Sequence, residues 1–128
     1  MSKIIECVPN FSEGTDQTKI NSIVSSIKSI QGVTVLDCDP GLDTNRTVVT
    51  FVGEPKSVIE AAFQGIKRAS ELIDMSLHKG THPRIGATDV CPIIPVSGVS
   101  IEECIEYSII LAEKVGLELN IPVYLYEK

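Results

Sequence analysis

Both histidines of this 128-residue chain, His78 and His82, lie in one short segment that also contains Lys79 and Arg84. The imidazole side chain gains and loses a proton close to neutral pH, and the two cationic side chains can hold an anionic substrate. This combination indicates a site of proton transfer on an anionic molecule. An incidental or purely structural role for two neighbouring surface histidines remains the alternative on this motif alone.

The same segment is a poor candidate for a metal centre. His78 and His82 have the i,i+4 spacing of helical zinc ligands, but Gly80 and Pro83 interrupt the helix that would present both on one face. No cysteine or carboxylate at ligand spacing completes such a site. We therefore expect no metal.

A β-rich run that begins at Val33 can supply an acidic partner for an imidazole. Alternate residues of a strand share one face, so this run presents an apolar face that ends in Asp37 and Asp39. Both carboxylates are expected at the rim of the loop that carries Asn45 and Arg46. One possibility is that both carboxylates belong to a solvated, turn-forming strand end. The other is that Asp39 orients and charges an imidazole. Sequence spacing does not decide between these two roles.

The composition restricts the class of protein. One domain of this length buries a core without disulfides or metals, and a net charge of −6 argues against nucleic acid or an anionic membrane as a partner. Four dispersed cysteines without a CxxC motif are typical of reduced core residues. Since the sequence shows no signal peptide and no apolar run of membrane-spanning length, we expect a soluble, cytoplasmic protein.

Hydrophobic periodicity predicts the elements that carry these residues. Strands are expected at residues 4–8, 33–38 and 47–52, with an irregular, proline-containing edge strand at 89–96 and a last strand at 123–125. Helices are expected after a cap at Thr15 or Asp16, from Pro55 onward, and after a capping box at residues 100–103.

Helix ends, inward faces and the fold class follow from the same pattern. Gly32 and Gly116 are expected to end the first and third helices, and residues 39–41 to form a turn. The second helix is expected to bury Val58, Ala62, Gly65, Ile66, Ala69 and Ile73, and the third Ile101, Cys104, Ile105, Ser108 and Ala112. The order β-α-β-β-α-β-α-β predicts one α/β domain over residues 1–128, of the α+β sandwich type, with helices packed on a mixed sheet and a ferredoxin-like beginning.

Four sequence blocks resemble the N-terminal subdomain of glutamate formiminotransferase, in the formiminotransferase-cyclodeaminase family. They are residues 6–14 (ECVPNFSEG), 45–53 (NRTVVTFVG), 72–76 (LIDMS) and 82–90 (HPRIGATDV). The resemblance covers essentially the whole chain, ending with residues 123–126 (VYLY). It implies transfer of a formimino group from N-formimino-L-glutamate to tetrahydrofolate in histidine degradation, or of a formyl group in a related reaction.

The resemblance also implies catalytic roles for two residues. The family's catalytic histidine falls on His82, and its acidic partner matches Asp39. The attacking N5 amine of folate must lose a proton and the departing glutamate nitrogen must gain one. One imidazole can do both in turn, which is typically worth about a hundred- to ten-thousand-fold in rate. Tetrahydrofolate is then a co-substrate, and no metal is implied.

Four more residues are candidates for binding the substrates. Arg46 and Arg84 offer bidentate donors to the carboxylates of glutamate or of the folate tail. Asn10 and Asn45 can bind amide or pterin edges, or they can form turns instead.

Members of the resembled family usually continue into a second subdomain of similar size, with substrate in the groove between the two. This chain stops where that half would begin, so part of the folate site is expected to be missing. Three functions stay open: a formiminotransferase domain completed by a homodimer partner or a separate second-half chain, a module that binds folate or an acyl-glutamate, and a non-catalytic relative that keeps only the fold. Residues 91–96 and 123–126 are the expected contact surface.

Overall fold

The computed structural model describes residues 2–41, 45–73, 87–121 and 123. Strands and helices follow one another in the predicted order, except that an unpredicted short strand follows the first one and the strand expected at residues 89–96 is divided in two. They are β1 (Ile4–Cys7), β2 (Asn10–Phe11), α1 (Gln17–Lys28), β3 (Val33–Gly41), β4 (Arg46–Gly53), α2 (Pro55–Leu72), β5 (Thr88–Val90), β6 (Ile93–Ser97) and α3 (Ile101–Leu119).

The strands form one sheet, in which some rows consist of two short strands placed end to end. β3 pairs with one edge of β4, while β1 and β2 pair in succession along its other edge. β6 and β5 pair with β1 and β2 in the same way, and every pairing among the described strands is antiparallel. The row order is therefore β3, β4, β1 with β2, and β6 with β5. This arrangement confirms the α+β class, but the described sheet is antiparallel rather than mixed. The predicted last strand lies outside the described residues apart from Val123.

The three helices pack on one face of this sheet. Their apolar stripes meet the inward side chains of the central rows, which are fully buried: Ile5, Cys7, Val49 and Phe51. No described helix covers the other side. This open face carries the alternate residues of the same strands, namely Glu6, Asn10, Arg46, Val48, Thr50 and Val52.

The first helix begins as predicted but ends earlier. Asp16 caps α1, because its carboxylate accepts backbone N–H groups two and three residues along. The predicted end at Gly32 is wrong, since the helix stops at Lys28 with Ser29 as its C-cap. The Ser29 hydroxyl donates to the Ser26 carbonyl at 2.7 Å, which satisfies an acceptor of the last turn. Gly32, with a φ of 95°, instead forms the turn into β3.

The second helix matches its predicted stripe. Pro55 lies in the first turn, where its missing N–H interrupts no helical hydrogen bond. All residues expected inward are buried: Val58, Ala62, Gly65, Ile66, Ala69 and, directly after the helix, Ile73.

The third helix opens with the predicted capping box, in which Ser100 and Glu103 exchange hydrogen bonds between side chains and backbone N–H groups. Its predicted end at Gly116 is wrong. The helix continues to Leu119 and ends at Asn120, whose φ of 56° makes a left-handed C-cap. A glycine inside a helix costs far less than a proline does, so Gly116 does not break α3.

The inward face of α3 is also rotated from the predicted one. The buried residues are Cys104, Leu111 and Val115. Of the other residues predicted inward, Ser108 and Ala112 are half-buried. Ile101 and Ile105 are exposed, at 66% and 52%. Two apolar stripes adjoin on this helix, and contact with α2 and β6 decides which one is buried.

The third strand is longer than predicted. Residues 39–41 belong to β3 rather than to a turn, with Pro40 opposite Thr47 and Gly41 opposite Arg46. Proline is compatible with an edge strand, and among the described strands β3 pairs with β4 only.

A bulge in β3 reverses the predicted direction of its carboxylates. The register shifts between Val35, opposite Phe51, and Asp37, opposite Thr50. Such a bulge adds one residue to one strand and changes which face the following residues occupy. Cys38 therefore packs on the core, whereas Asp37 and Asp39 are exposed on the open face. The expectation that they continue the face of Val33 and Val35 is wrong.

Candidate functional site

Asp39 and Asn10 lie in one row across the open face. Asp39 stands opposite Val48 of β4, and Val48 stands opposite Asn10 of β2. Neighbouring strands are about 4.8 Å apart, so the two backbones are separated by on the order of 10 Å. Asp39 is exposed, and the half-buried Asn10 donates from Nδ2 to the Val8 carbonyl at 3.2 Å. The structure thus brings these two predicted site residues onto one surface.

Arg46 lies on the same surface. It is the first residue of β4, two positions before Val48, and it is half-buried. Since alternate residues of a strand share a face, Arg46 is on the side of Asp39 and Asn10. An arginine, a carboxylate and an amide at one end of an uncovered sheet form a surface that can bind a polar anion.

Asn45 has a different position from the other predicted binding residues. Its Oδ1 accepts the backbone N–H of Gly14 at 2.7 Å, and its φ of 52° is left-handed, which asparagine tolerates better than most residues. Nearby, the Thr47 hydroxyl donates to the Glu13 carbonyl. These two contacts join the segment after β2 to the start of β4, so Asn45 has at least the turn-forming role that the sequence left open.

Gly14 fits this junction because it lacks a side chain. A Cβ on Gly14 would lie 2.6 Å from the Arg46 backbone nitrogen and closer still to the Gly41 carbonyl oxygen. Any larger residue would therefore push the segment away from Arg46. Sequence reasoning did not identify this requirement, because both contacting atoms belong to backbone more than 25 positions along the chain.

Glu13 is a second residue that sequence reasoning missed. The residue is only 7% exposed, and its Oε2 accepts from the Thr15 N–H (3.1 Å), the Thr15 hydroxyl (3.0 Å) and the Asp16 N–H (2.8 Å). The Lys19 ammonium lies 3.9 Å from Oε1. A buried carboxylate needs such partners, and here they fix the approach to α1. The signal in the sequence was an acidic residue three positions before the Asp16 cap.

Cys38 lies between the two carboxylates of β3. Burial, and then the charges of Asp37 and Asp39, raise the pKa of its thiol above the ordinary value. The protonated thiol is a poor nucleophile. Cys38 is therefore a packing residue beneath the open face.

The segment that contains the histidines lies outside the described residues. The predictions for His82 and Arg84, and for His78 and Lys79, consequently stay predictions. The first described residue after that segment is Ala87, whose carbonyl accepts the Ser12 N–H at 2.8 Å. This bond fixes the exit of the segment beside β2, the strand that carries Asn10.

The described residues contain neither a group of metal ligands nor a membrane-spanning helix. Within residues 2–41, 45–73, 87–121 and 123, no three His, Cys, Asp or Glu side chains group as metal ligands would. None of the helices described has both the length and the apolar character to cross a membrane.

Comparison with known proteins identifies the family. Residues 4–128 match the family described as the formiminotransferase domain, N-terminal subdomain. The formimidoyltransferase-cyclodeaminase of Mus musculus is 55% identical over 98% of this chain and 23% of that protein. The glutamate formimidoyltransferases of Streptococcus pyogenes serotype M1 and Thermoplasma acidophilum are 53% and 47% identical, over 99% and 96% of this chain.

The match extends along nearly the whole chain but along only part of each relative. The chain spans 42% of the Streptococcus pyogenes protein and 41% of the Thermoplasma acidophilum protein. The four sequence blocks and the α+β architecture agree with the family match. The chain therefore belongs to the family of formiminotransferase N-terminal subdomains.

Proposed function

We propose that this chain is the N-terminal half of a glutamate formimidoyltransferase. In this function it moves a formimino group from N-formimino-L-glutamate to tetrahydrofolate in histidine degradation, with His82 as general acid and base. The observation that carries the proposal is the family match over residues 4–128, supported by relatives named for this activity. Because the chain spans less than half of those relatives, it supplies one part of the active site.

The open face supports binding of two acidic substrates. Formiminoglutamate and the folate tail both carry carboxylates. A protein of net charge −6 needs cationic side chains at the binding surface to attract them. Arg46 provides a guanidinium at the end of the face that also carries Asn10 and Asp39. Arg84 is proposed as a second anion-binding residue, since its side chain can bind a carboxylate with two parallel hydrogen bonds.

Chain connectivity supports a contact between His82 and Asp39. His82 precedes Ala87 by five residues, and five residues span at most about 17 Å when fully extended. Ala87 is hydrogen-bonded to Ser12, two positions after Asn10, whose row contains Asp39. A span of this length allows the contact that we propose between His82 and Asp39. In the proposed mechanism the Asp39 carboxylate orients the imidazole and favours its charged form.

The decisive experiment compares the two histidines in a transfer assay. The full chain is combined with a polypeptide that comprises the remaining residues of the Streptococcus pyogenes relative, and formimino transfer to tetrahydrofolate is followed. We expect His82→Ala to lose on the order of a hundred- to ten-thousand-fold in turnover, with an unchanged circular dichroism spectrum. His78→Ala is the matched control and should keep most of the activity.

Each result of this assay has a defined meaning. Equal losses from the two substitutions, or wild-type turnover in His82→Ala, would contradict the catalytic assignment. Transfer from formylglutamate rather than formiminoglutamate would assign the related formyl reaction. Folate binding in calorimetry without turnover would support the binding module, and neither binding nor turnover would support the non-catalytic relative.

We also propose a partner and a cellular location. Ile94 and Val96 of β6 are 40% and 56% exposed, and Val123 is 42% exposed, so apolar side chains are accessible in both segments expected to contact a second half. A homodimer partner or a separate second-half chain would cover them. The acidic composition and the four free thiols are the basis for proposing that the protein is cytoplasmic.

A further inference from the structure

Two of the four cysteines touch one another. The Sγ atoms of Cys7 and Cys91 are 3.4 Å apart, and both residues are free thiols. Cys7 belongs to β1 and is fully buried, whereas Cys91 lies between β5 and β6 and is half-buried. The other two cysteines lie elsewhere in the fold, Cys38 on β3 and Cys104 on α3.

Sheet hydrogen bonds hold the backbones on both sides of this contact. Cys7 stands opposite Ile93, and the Val8 N–H donates to the Pro92 carbonyl at 3.1 Å. The same register continues into the pairing of β2 with β5. Cys91 is therefore a diagonal neighbour of Cys7 across two adjacent rows, on the helix side of the sheet. The sulfur atoms meet because of the sheet register rather than through a chance side-chain position.

The two thiols differ in accessibility: Cys7 is fully buried and Cys91 is half-buried. The contact with Cys91, followed by burial, raises the pKa of the Cys7 thiol well above its ordinary value. Cys7 therefore stays protonated and is shielded from solvent. Cys91 is the thiol of the pair that a small oxidant can reach, and the thiolate is the form that reacts with it.

We propose that Cys7 and Cys91 are a modification site at which a peroxide forms an intrachain disulfide. In the first step Cys91 Sγ attacks one peroxide oxygen, the O–O bond breaks, and a sulfenic acid and one water result. In the second step Cys7 Sγ attacks Cys91 Sγ while its proton passes to the sulfenic oxygen, which leaves as a second water. The enforced contact of the two sulfur atoms offsets the low nucleophilicity of the protonated Cys7 thiol. Two thiols are oxidised and one hydrogen peroxide is reduced to two waters. The sulfur atoms need to approach by only about 1.4 Å to reach the disulfide bond length.

This bond would join β1 to the two-residue connection between β5 and β6. It would enclose residues 8–90, which include α1, β3, β4 and α2. Closing so long a loop restricts the unfolded chain more than the folded one. We therefore expect the oxidised protein to melt at a higher temperature than the reduced protein, and the increase to disappear when dithiothreitol is added.

The test uses the folded, full-length chain and hydrogen peroxide. After oxidation, remaining thiols are blocked with iodoacetamide and the protein is analysed by mass spectrometry. We expect one cross-linked peptide pair containing Cys7 and Cys91, with a mass two hydrogen atoms below the sum of the two thiol peptides. Cys38→Ser is the matched control, because it removes a half-buried thiol of the same sheet, and it should keep the link.

Two variants separate the steps. In Cys7→Ser, Cys91 should stop at the sulfenic acid, which dimedone traps, and the melting temperature should not rise on oxidation. Cys91→Ser should form no link. Because it changes the more accessible residue, it keeps the test valid if Cys7→Ser prevents folding. Oxidation of Cys91 in the wild type without a bond to Cys7, or a link that forms only in urea, would overturn the proposal.

Discussion

Asp37 and Asp39 lie on the same face of β3, both exposed and only two residues apart. Of the two, only Asp39 lies in the same row as Asn10. Ala87, the first described residue after the segment that contains His82, is bonded beside that row. The two carboxylates are therefore a matched pair for identifying the group that acts on His82.

We expect Asp39→Asn to lower the pKa of His82. A carboxylate beside an imidazole favours its protonated form and raises its pKa, so removal of the charge has the opposite effect. NMR titration of the His82 ring measures the change, and the acidic limb of the rate profile should move to lower pH in the completed enzyme. Asp37→Asn should cause a smaller shift. An unchanged His82 titration in Asp39→Asn would remove Asp39 from the mechanism.

Residues that act on near neighbours in the sequence were predictable, and residues that act over long distances were not. The Asp16 cap could be inferred because its partners lie two and three positions away. The roles of Asn45 and Gly14 could not, since each depends on backbone that the fold brings from the other side of α1 and β3. The face of the sheet on which Asp39 lies depends on a bulge that the residue types of β3 do not predict.

At the scale of elements, the contact between the segment after β2 and the start of β4 positions Arg46. We expect Gly14→Ala to destabilise the fold by about 1–3 kcal/mol, the usual cost of an overpacked site, because the new Cβ meets backbone atoms. Urea unfolding measures the loss.

Gly116→Ala is the matched control for this glycine. Its Cβ would have open space, with the nearest contact at 3.9 Å. Gly116 lies in the last turn of α3, where replacing glycine by alanine should stabilise the fold by at most about 0.5–1 kcal/mol. A Gly14→Ala variant as stable as wild type would show that the two segments do not depend on one another.

A second prediction at this scale concerns the contact between α2 and α3. The Lys114 ammonium pairs with Glu60, and hydrogen bonds from Lys114 and then from Gln64 lower the pKa of the Glu60 carboxyl. A lowered pKa in the folded state gives stability that is complete above the ordinary glutamate pKa, about 4.3, and is lost as the pH falls through the folded value.

Glu60→Gln should therefore be less stable than wild type at pH 7 and nearly equal to it in acid. The difference should stay under about 1 kcal/mol, because both side chains remain partly exposed to solvent. Urea midpoints at pH 7 and pH 3 test this. Glu113→Gln is the control, since it removes an equal charge from an exposed position of α3. A difference that grows in acid would contradict the assignment.

At the scale of the whole molecule, the class and the order of the described elements could be predicted apart from β2 and the division between β5 and β6, because apolar spacing reports burial directly. The helix-covered and open faces could not be assigned in advance, since the β3 bulge and the rotation of α3 depend on packing between distant segments. The buried face of α2 could be assigned in advance. This helix packs on both neighbouring helices, and every residue predicted to face inward is buried.

We expect the isolated chain to have little or no transferase activity and to associate with a second copy or with a second-half polypeptide. The open face lacks a described covering layer, and the relatives are more than twice as long. Light scattering at micromolar concentration, with and without the second half, measures the assembly, and the transfer assay measures its activity. A strictly monomeric chain with high turnover would contradict this expectation.

The central position of the first strand also determines when the protein can fold during its synthesis. Ile5 leaves the ribosome early, yet its partners on the two sides are Gly53 and Pro95. The hairpin of β3 and β4 can close from local contacts, whereas β1 cannot be paired on both sides until residue 95 has been translated. At about 5–20 residues per second this interval lasts several seconds. During that time the apolar N-terminal segment is a natural target for the chaperones that bind nascent chains.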